Sequence, residues 1–276
     1  MKSFWVFILA AFFVAGSVSA EDYLTLKGSD TMVYLGSRWA EEFMKLYPGI
    51  NVSVTGGGSG TGIAALLNGT TDICMASRKI KPKEIKLASK KNINPYETVV
   101  ARDGIAVVVN TANPIDKLTI EQIGKIYTGR ITNWNQVGGP DEEIIILSRE
   151  SSSGTYVFFQ EHVLKKQDYS PRARLMPATS SIIQSVEADK WSIGYVGLGY
   201  AVEAGDKVKT LAVSDGGDYI LPSETTVKSG QYSISRPLHL YTDGEPSGQI
   251  KKFVDFCLSP TGQKIVRETG YIAIEK

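Results

Sequence analysis

Three strand-like runs in this chain each end in a turn of glycine and small hydroxyl residues that opens directly into a helical pattern. The first joins Tyr23-Leu24-Thr25-Leu26-Lys27 to Gly28-Ser29-Asp30-Thr31-Met32. The second joins Val52-Ser53-Val54 to Gly56-Gly57-Gly58-Ser59-Gly60-Thr61-Gly62, and the third joins Ile144-Ile145-Ile146-Leu147 to Ser148-Arg149-Glu150-Ser151-Ser152-Ser153-Gly154-Thr155. Such a turn leaves the first helical N–H groups unpaired and sets short hydroxyls beside them. The helix dipole favours a negative charge at that spot. One such turn is an ordinary capped helix. Three of them, with arginines nearby and no metal-ligand spacing, predict a site that wraps a small oxyanion.

The first third of the chain reads β-α-β-α-β, the order of a parallel sheet with crossover helices. Met32, Leu35, Trp39, Phe43 and Leu46 recur at helical spacing until Pro48-Gly49 stops them. Residues 50–54 alternate as a strand, 61–68 are helical, 72–76 form a short apolar strand, and 81–91 are a charged surface helix or turn. A long β-run over 99–109 carries Arg102-Asp103-Gly104 in its middle, a place for the chain to pass between domains. Helices are expected over 118–127, 155–165 and 180–187, strands over 144–147 and 193–196, and a β-like run over 232–242 around Pro237. Two final helices, 249–258 and 261–268, are split by Ser259-Pro260 and lack a domain of their own. Packing them on the first βαβ unit makes the middle of the chain a second lobe. The expected division is residues 21–101 with 238–276 as one α/β lobe and 102–237 as the other, joined by two crossings. Ligands of such sheets sit beyond the carboxyl ends of the strands, where all three turns fall.

The opening residues read as a secretory signal peptide over 1–20: Lys2, an apolar core over 4–14, and the small-residue site Val18-Ser19-Ala20 before Glu21. That run is too short for a membrane span. No cysteine follows the cleavage site, which argues against a lipid anchor. An exported chain is therefore expected, periplasmic or secreted. Lys+Arg and Asp+Glu number 30 and 29, and one lysine lies in the leader, so the remainder is formally neutral. This excludes the basic face of a nucleic-acid binder and makes any anion site a local field. Cys74 and Cys257 are either paired, as export permits, or buried free thiols, the reading favoured by the apolar runs around them. Two separated histidines, His162 and His239, give no zinc spacing and read as structural.

Each candidate residue has a plainer reading beside the functional one. The run Gly56 to Gly62 lets the backbone approach a ligand closely, with Ser59 and Thr61 as donors, or is merely a capped turn. It lacks the Lys-Ser/Thr of a P-loop and the last glycine of a dinucleotide fingerprint. Arg149 offers a planar fork of donors suited to a tetrahedral oxyanion, with Ser153, Gly154 and Thr155 at the helix start; the alternative is a serine cap with a surface arginine. Ser77-Arg78 follows an apolar strand, and Arg78 is either a second clamp or part of a solvated basic stretch with Lys79, Lys81 and Lys83. Thr31 reads as a binding hydroxyl or a cap. Trp134, Trp191, Tyr195 and Tyr200 read as packing aromatics. A hydrolase using Ser153 as nucleophile lacks the nucleophile elbow and a paired base.

Taken in order, Gly28 to Met32, Gly57 to Gly62, Ala76-Ser77-Arg78, Leu118-Thr119 through Gly129-Arg130-Ile131-Thr132-Asn133-Trp134, Arg149 to Tyr156, Gly194-Tyr195-Val196-Gly197 and Leu258 to Gln263 resemble the phosphate-binding protein of bacterial phosphate ABC importers. The resemblance implies an α/β, two-lobed periplasmic-binding-protein fold of type II, each lobe a mixed sheet flanked by helices, with two crossing hinge strands. It implies a monomeric, non-enzymatic receptor that takes no cofactor, binds inorganic phosphate and hands it to a membrane permease. Sulfate or molybdate is the alternative ligand. Carried over motif by motif, phosphate contacts fall on Thr31, Met32, Ser59, Ser77, Arg149, Ser153, Gly154 and Thr155. Well-known members have an aspartate where this chain has Arg78; that aspartate accepts the proton of hydrogen phosphate and so rejects sulfate. Here Arg78 is expected to be a second clamp, and Asp30, Asp103 or Glu150 the proton acceptor.

Overall fold

The computed structural model describes residues 22–274. The expected leader over 1–20 therefore lies outside the described residues. The chain opens with β1 (Asp22–Gly28), whose exit carries a short 3-10 turn, Asp30–Met32, before α1 (Val33–Leu46). Then come β2 (Ile50–Thr55), α2 (Ser59–Leu67), β3 (Ile73–Ala76) and α3 (Pro82–Lys90). The segment left open as helix or turn is thus a helix, started by Pro82 and by a Glu84 side chain that accepts from the Lys81 N–H. Leu35, Trp39 and Phe43 of α1 are fully buried, and the Trp39 indole donates to the Gly262 carbonyl at 2.9 Å. Burial of side chains this size contributes roughly 1.5–3 kcal/mol each.

The next strand, β4 (Pro95–Val109), runs fifteen residues through the Arg102-Asp103-Gly104 segment without a break. It is followed by β5 (Lys117–Thr119), α4 (Ile120–Tyr127), β6 (Ile145–Arg149), α5 (Gly154–His162), β7 (Arg174–Met176) and α6 (Thr179–Ala188). The chain continues through β8 (Ser192–Gly197), α7 (Leu198–Ala204), β9 (Lys209–Thr210), β10 (Ala212–Ser214) and α8 (Glu224–Lys228). It ends in β11 (Ser235–Asp243), α9 (Gly248–Leu258) and α10 (Pro260–Glu268). Ser259 caps α10 through its hydroxyl, and Pro260 takes the first helical position.

The main sheet has the order β2-β1-β3-β11-β4-β8-β6-β7, with β9 also paired to β4. It is mixed. β1 is parallel to β2 and β3, and β6 is parallel to β7 and β8. Between these parallel groups, β11 and β4 run antiparallel along the register Ser235↔Gly104 to Asp243↔Pro95. Beyond Gly104, β4 pairs with β8 instead. One strand therefore serves both parallel groups, and β11 returns beside it. The apolar side chains follow the same partition. One core joins Leu24, Trp39, Phe43, Leu238, Phe253 and Tyr271; a second joins Ile105, Tyr127, Trp134, Phe159, Tyr195 and Ile234. Ile272 reaches across into the second core, and its backbone exchanges hydrogen bonds with Arg102. Among the described residues no helix is long and apolar enough to cross a membrane.

Candidate anion-binding site

The carboxyl ends of β1, β3 and β6 and the β2–α2 turn meet where β4 and β11 pass each other. Ser29 donates its hydroxyl to Ser77 Oγ at 2.8 Å, and Ser77 Oγ lies 3.3 Å from Ser59 Oγ. The Ser77 N–H donates to Ser59 Oγ at 3.0 Å. Gly154 closes over this trio so tightly that a Cβ there would stand 2.3 Å from Ser59 Oγ and 2.7 Å from Ser77 Oγ. Only glycine permits that approach of a helix N-terminus to two hydroxyls. The Gly60 N–H donates to the Ser152 carbonyl at 2.9 Å, so the second and third turns touch directly. At Gly58, φ is +98° and a Cβ would lie 2.6 Å from the Ser152 carbonyl oxygen, so glycine is again required.

Beside the trio, Thr31 Oγ1 and Thr155 Oγ1 share a hydrogen bond of 2.7 Å and are buried. Thr31 is therefore not a cap; its hydroxyl bridges to α5. Its carbonyl accepts from the Tyr271 hydroxyl at 2.5 Å. Thr155 Oγ1 also accepts from Arg236 Nη2 at 2.9 Å, and the same nitrogen donates to Asp103 Oδ2 at 2.9 Å. Arg236 Nε donates to that oxygen too, at 3.2 Å, while Asp103 Oδ1 accepts the Leu198 N–H at 3.0 Å. Residues 103 and 236 are cross-strand partners in the β4–β11 pair, which is why the two charges meet. Both are essentially inaccessible, at 0% and 2%. Burial raises the Asp103 carboxyl above its ordinary value against the pull of Arg236.

The sequence-expected residues divide between this cluster and its surroundings. Thr31, Ser59, Ser77, Gly154 and Thr155 are brought together. Ser153 stands at the start of α5, where its hydroxyl accepts the N–H groups of Thr155 and Tyr156. Among the described residues no hydrogen bond links Ser153 to a histidine. Met32 is buried in the first core, and its N–H donates to the Ser29 carbonyl. Arg149 is not an unoccupied fork: Nε donates to the Met176 carbonyl, Nη1 to Thr179 Oγ1 and Nη2 to the Pro177 carbonyl. Its charge lies 3.3 Å from Asp30 Oδ2, which also accepts the Thr179 N–H at 2.6 Å. Arg78 is likewise engaged. It donates to both carboxylate oxygens of Glu84, at 2.9 and 2.7 Å, and to the Lys79 carbonyl. It still borders the site, since a Cβ on Gly60 would lie 3.7 Å from its Nη2. Of the acceptor candidates, Asp103 adjoins Thr31 and Thr155, Asp30 braces Arg149, and Glu150 is exposed.

The arginine that touches the hydroxyl cluster is Arg236, which the sequence reading passed over. The available signal was parity. Position 236 alternates in step with Ile234, Leu238 and Leu240, so its side chain falls on the inward face of an otherwise apolar strand. A charge on that face needs a partner. Cys74 and Cys257 are buried free thiols, the favoured of the two sequence readings.

A model of the PBP superfamily domain matches residues 14–261. The phosphate-binding protein PstS of Pseudomonas aeruginosa is 33% identical over 268 residues, covering 91% of this chain and 83% of the relative. This chain belongs to the PstS phosphate-binding protein family. A second member, PstS of Staphylococcus haemolyticus, is 35% identical over 254 residues, covering 90% of this chain and 79% of the relative. Among solved structures, a phosphate ABC transporter substrate-binding protein from Clostridium perfringens, determined with bound phosphate, superposes with a TM-score of 0.83. It is 32% identical, and the match covers 92% of this chain and all of that one. An ABC-type phosphate transport receptor from Vibrio cholerae gives a TM-score of 0.72 at 31% identity, covering 91% of this chain. The fold is accordingly that of a periplasmic binding protein, as the resemblance implied. Members of the family are named for binding, not for a reaction.

Proposed function

We propose that this chain is an extracytoplasmic receptor that binds inorganic phosphate and delivers it to the permease of an ABC importer. It is read as a monomer exported by a cleaved leader over residues 1–20 into the periplasm or the medium. The observation that carries the reading is the convergence of Ser29, Ser59, Ser77, Thr31 and Thr155 on the N-terminus of α5 at Gly154, with Arg236 alongside. Short hydroxyls, a helix N-terminus and a guanidinium together match a tetrahedral dianion. The phosphate-bound relative of the same fold supports the choice of ligand.

Residues 21–101 with 238–276 are read as one lobe and 102–237 as the other, and β4 and β11 as the hinge on which they close over the ligand. The two separate cores and the cross-strand pair Asp103–Arg236 at the crossing support this division. Phosphate contacts are assigned to Thr31, the backbone at Met32, Ser59, Ser77, Ser153, Gly154 and Thr155, with Arg149 and Arg78 supplying field from beside the cluster. Asp103 is the acceptor we favour for the proton of hydrogen phosphate, because Arg236 Nη2 ties its Oδ2 to Thr155 Oγ1 within the cluster. An acceptor there rejects sulfate by facing it with a lone pair. Calorimetry on phosphate-stripped protein tests this. One-to-one phosphate heat without sulfate heat is expected. Equal binding of both anions refutes the acceptor, and no binding of either refutes the receptor.

A further inference from the structure

Asp30 has the wrong sign for its place. It sits between Ser29 and Thr31, whose hydroxyls belong to the cluster, so its charge opposes an anion bound there. Its contacts point away from the cluster. Oδ2 accepts the Thr179 N–H at 2.6 Å and lies 3.3 Å from Arg149 Nη2. The Asp30 carbonyl accepts from the Tyr200 hydroxyl at 3.1 Å. Gly56 leaves room for the other carboxylate oxygen, since a Cβ there would stand 2.8 Å from Oδ1.

Arg149, Thr179 and Tyr200 all belong to the other lobe in the division proposed above. Thr179 is the first residue of α6, and Ala178 before it supplies no side-chain cap. Asp30 does so from across the crossing: it accepts the first N–H of α6 and sets a negative charge at the positive end of that helix dipole. Arg149 holds the same β7–α6 connection through the Met176 and Pro177 carbonyls and Thr179 Oγ1. Tyr200 stands in α7, and Tyr34 of α1 packs edge-on to its ring with centroids 6.5 Å apart. The Thr31–Thr155 bond also crosses between the lobes, but it occupies hydroxyls of the cluster. The Asp30 contacts use none of those hydroxyls, so a bound anion leaves them intact.

We infer that Asp30 is a positioning residue for phosphate binding: it latches its own lobe to Arg149, α6 and α7 of the other when the cleft closes, and so favours a bound anion that its charge alone repels. This rests on the receptor reading above. A ligand held in the closed form gains whatever favours that form over the open one. Charge-assisted hydrogen bonds of this kind are strong enough to change affinity about tenfold. The two effects of Asp30 have opposite signs. Losing only a repelling charge tightens phosphate binding, whereas losing the latch weakens it.

Calorimetry with inorganic phosphate on wild type, Asp30→Ala, Asp30→Asn and Tyr200→Phe tests this, together with release of radiolabelled phosphate into excess unlabelled phosphate. Asp30→Ala is expected to bind about tenfold or more weakly, and Asp30→Asn to fall between it and wild type. Tyr200→Phe, which removes no charge, is expected to bind about threefold more weakly. Each loss should appear as faster release, with association within about twofold of wild type. Urea unfolding of the ligand-free proteins should be the same for wild type and variants, because the latch forms on closure. Asp30→Ala affinity that is higher, or unchanged within about twofold, overturns the inference. So does a ligand-free Asp30→Ala protein that unfolds at lower urea than wild type, which would make Asp30 a support of the fold and not of closure. Wild type that binds no phosphate refutes the receptor reading and the latch with it. Wild-type phosphate heat beside an unaltered Asp30→Ala refutes the latch alone.

Discussion

Replacing Arg236 by methionine tests the charge arrangement at the strand crossing. The substitution keeps most of the volume and removes the cation. Asp103 would then be fully buried with the Leu198 N–H as its sole remaining partner among the described residues, where it now has two bonds from the guanidinium as well. Breaking one side of a buried ion pair costs about 3–5 kcal/mol, because the other charge is stranded. The sign of the pH dependence follows from the carboxyl. Burial already raises Asp103, and losing Arg236 removes the force opposing that rise. The folded variant then holds a proton that the unfolded chain releases above about pH 4. Its stability relative to wild type should therefore fall as pH rises above that value and recover as pH is lowered, by at most about 1.4 kcal/mol per pH unit. Urea unfolding between about pH 5 and pH 8 measures this, with equal m-values required for the comparison. Adding Asp103→Asn to the variant should restore much of the loss and flatten the pH dependence. A deficit under about 1 kcal/mol, or one that does not change with pH, refutes the argument that a stranded carboxylate is responsible.

Gly154→Ala should lower phosphate affinity by at least about tenfold with unchanged far-UV circular dichroism, since its Cβ would stand 2.3 Å from Ser59 Oγ; unchanged affinity on calorimetry would show that the close approach is not part of the site. His239 is lowered from its ordinary value, first by burial, then by Lys79 and Arg236, with Glu97 pulling the other way. The unfolded chain therefore takes up the proton first, and stability should fall as pH drops through about 6.5; His239→Leu should remove that component of a pH-dependent melting curve. Burial also pushes both thiols, Cys74 and Cys257, up. A thiol reagent should leave native protein unlabelled and titrate two free thiols after denaturation; one or none would mean that the cysteines do not both remain reduced.

How much was legible along the chain follows from which interactions are local. The three strand-turn-helix junctions, the stop at Pro48-Gly49 and the split at Ser259-Pro260 rest on backbone rules that act within a few residues. They set out most of the element order and the candidate residues Thr31, Ser59, Gly154 and Thr155. Formal neutrality and the absence of metal-ligand spacing followed from composition alone. The state of the arginines did not. Arg149 and Arg78 looked like clamps because a guanidinium beside a hydroxyl turn has that chemistry. Their actual acceptors, the carbonyls of Met176 and Pro177 for one and Glu84 for the other, depend on where loops and helices pack. The unbroken course of β4 through Asp103 was also hidden, since a polar residue in an apolar strand reads as an interruption until its partner is known. That partner, Arg236, lies 133 residues away and meets it only through the antiparallel register of β4 and β11. Sequence alone thus determined the turns that favour an anion; tertiary pairing decided which protein groups each arginine holds, because long-range register sets where each long side chain ends.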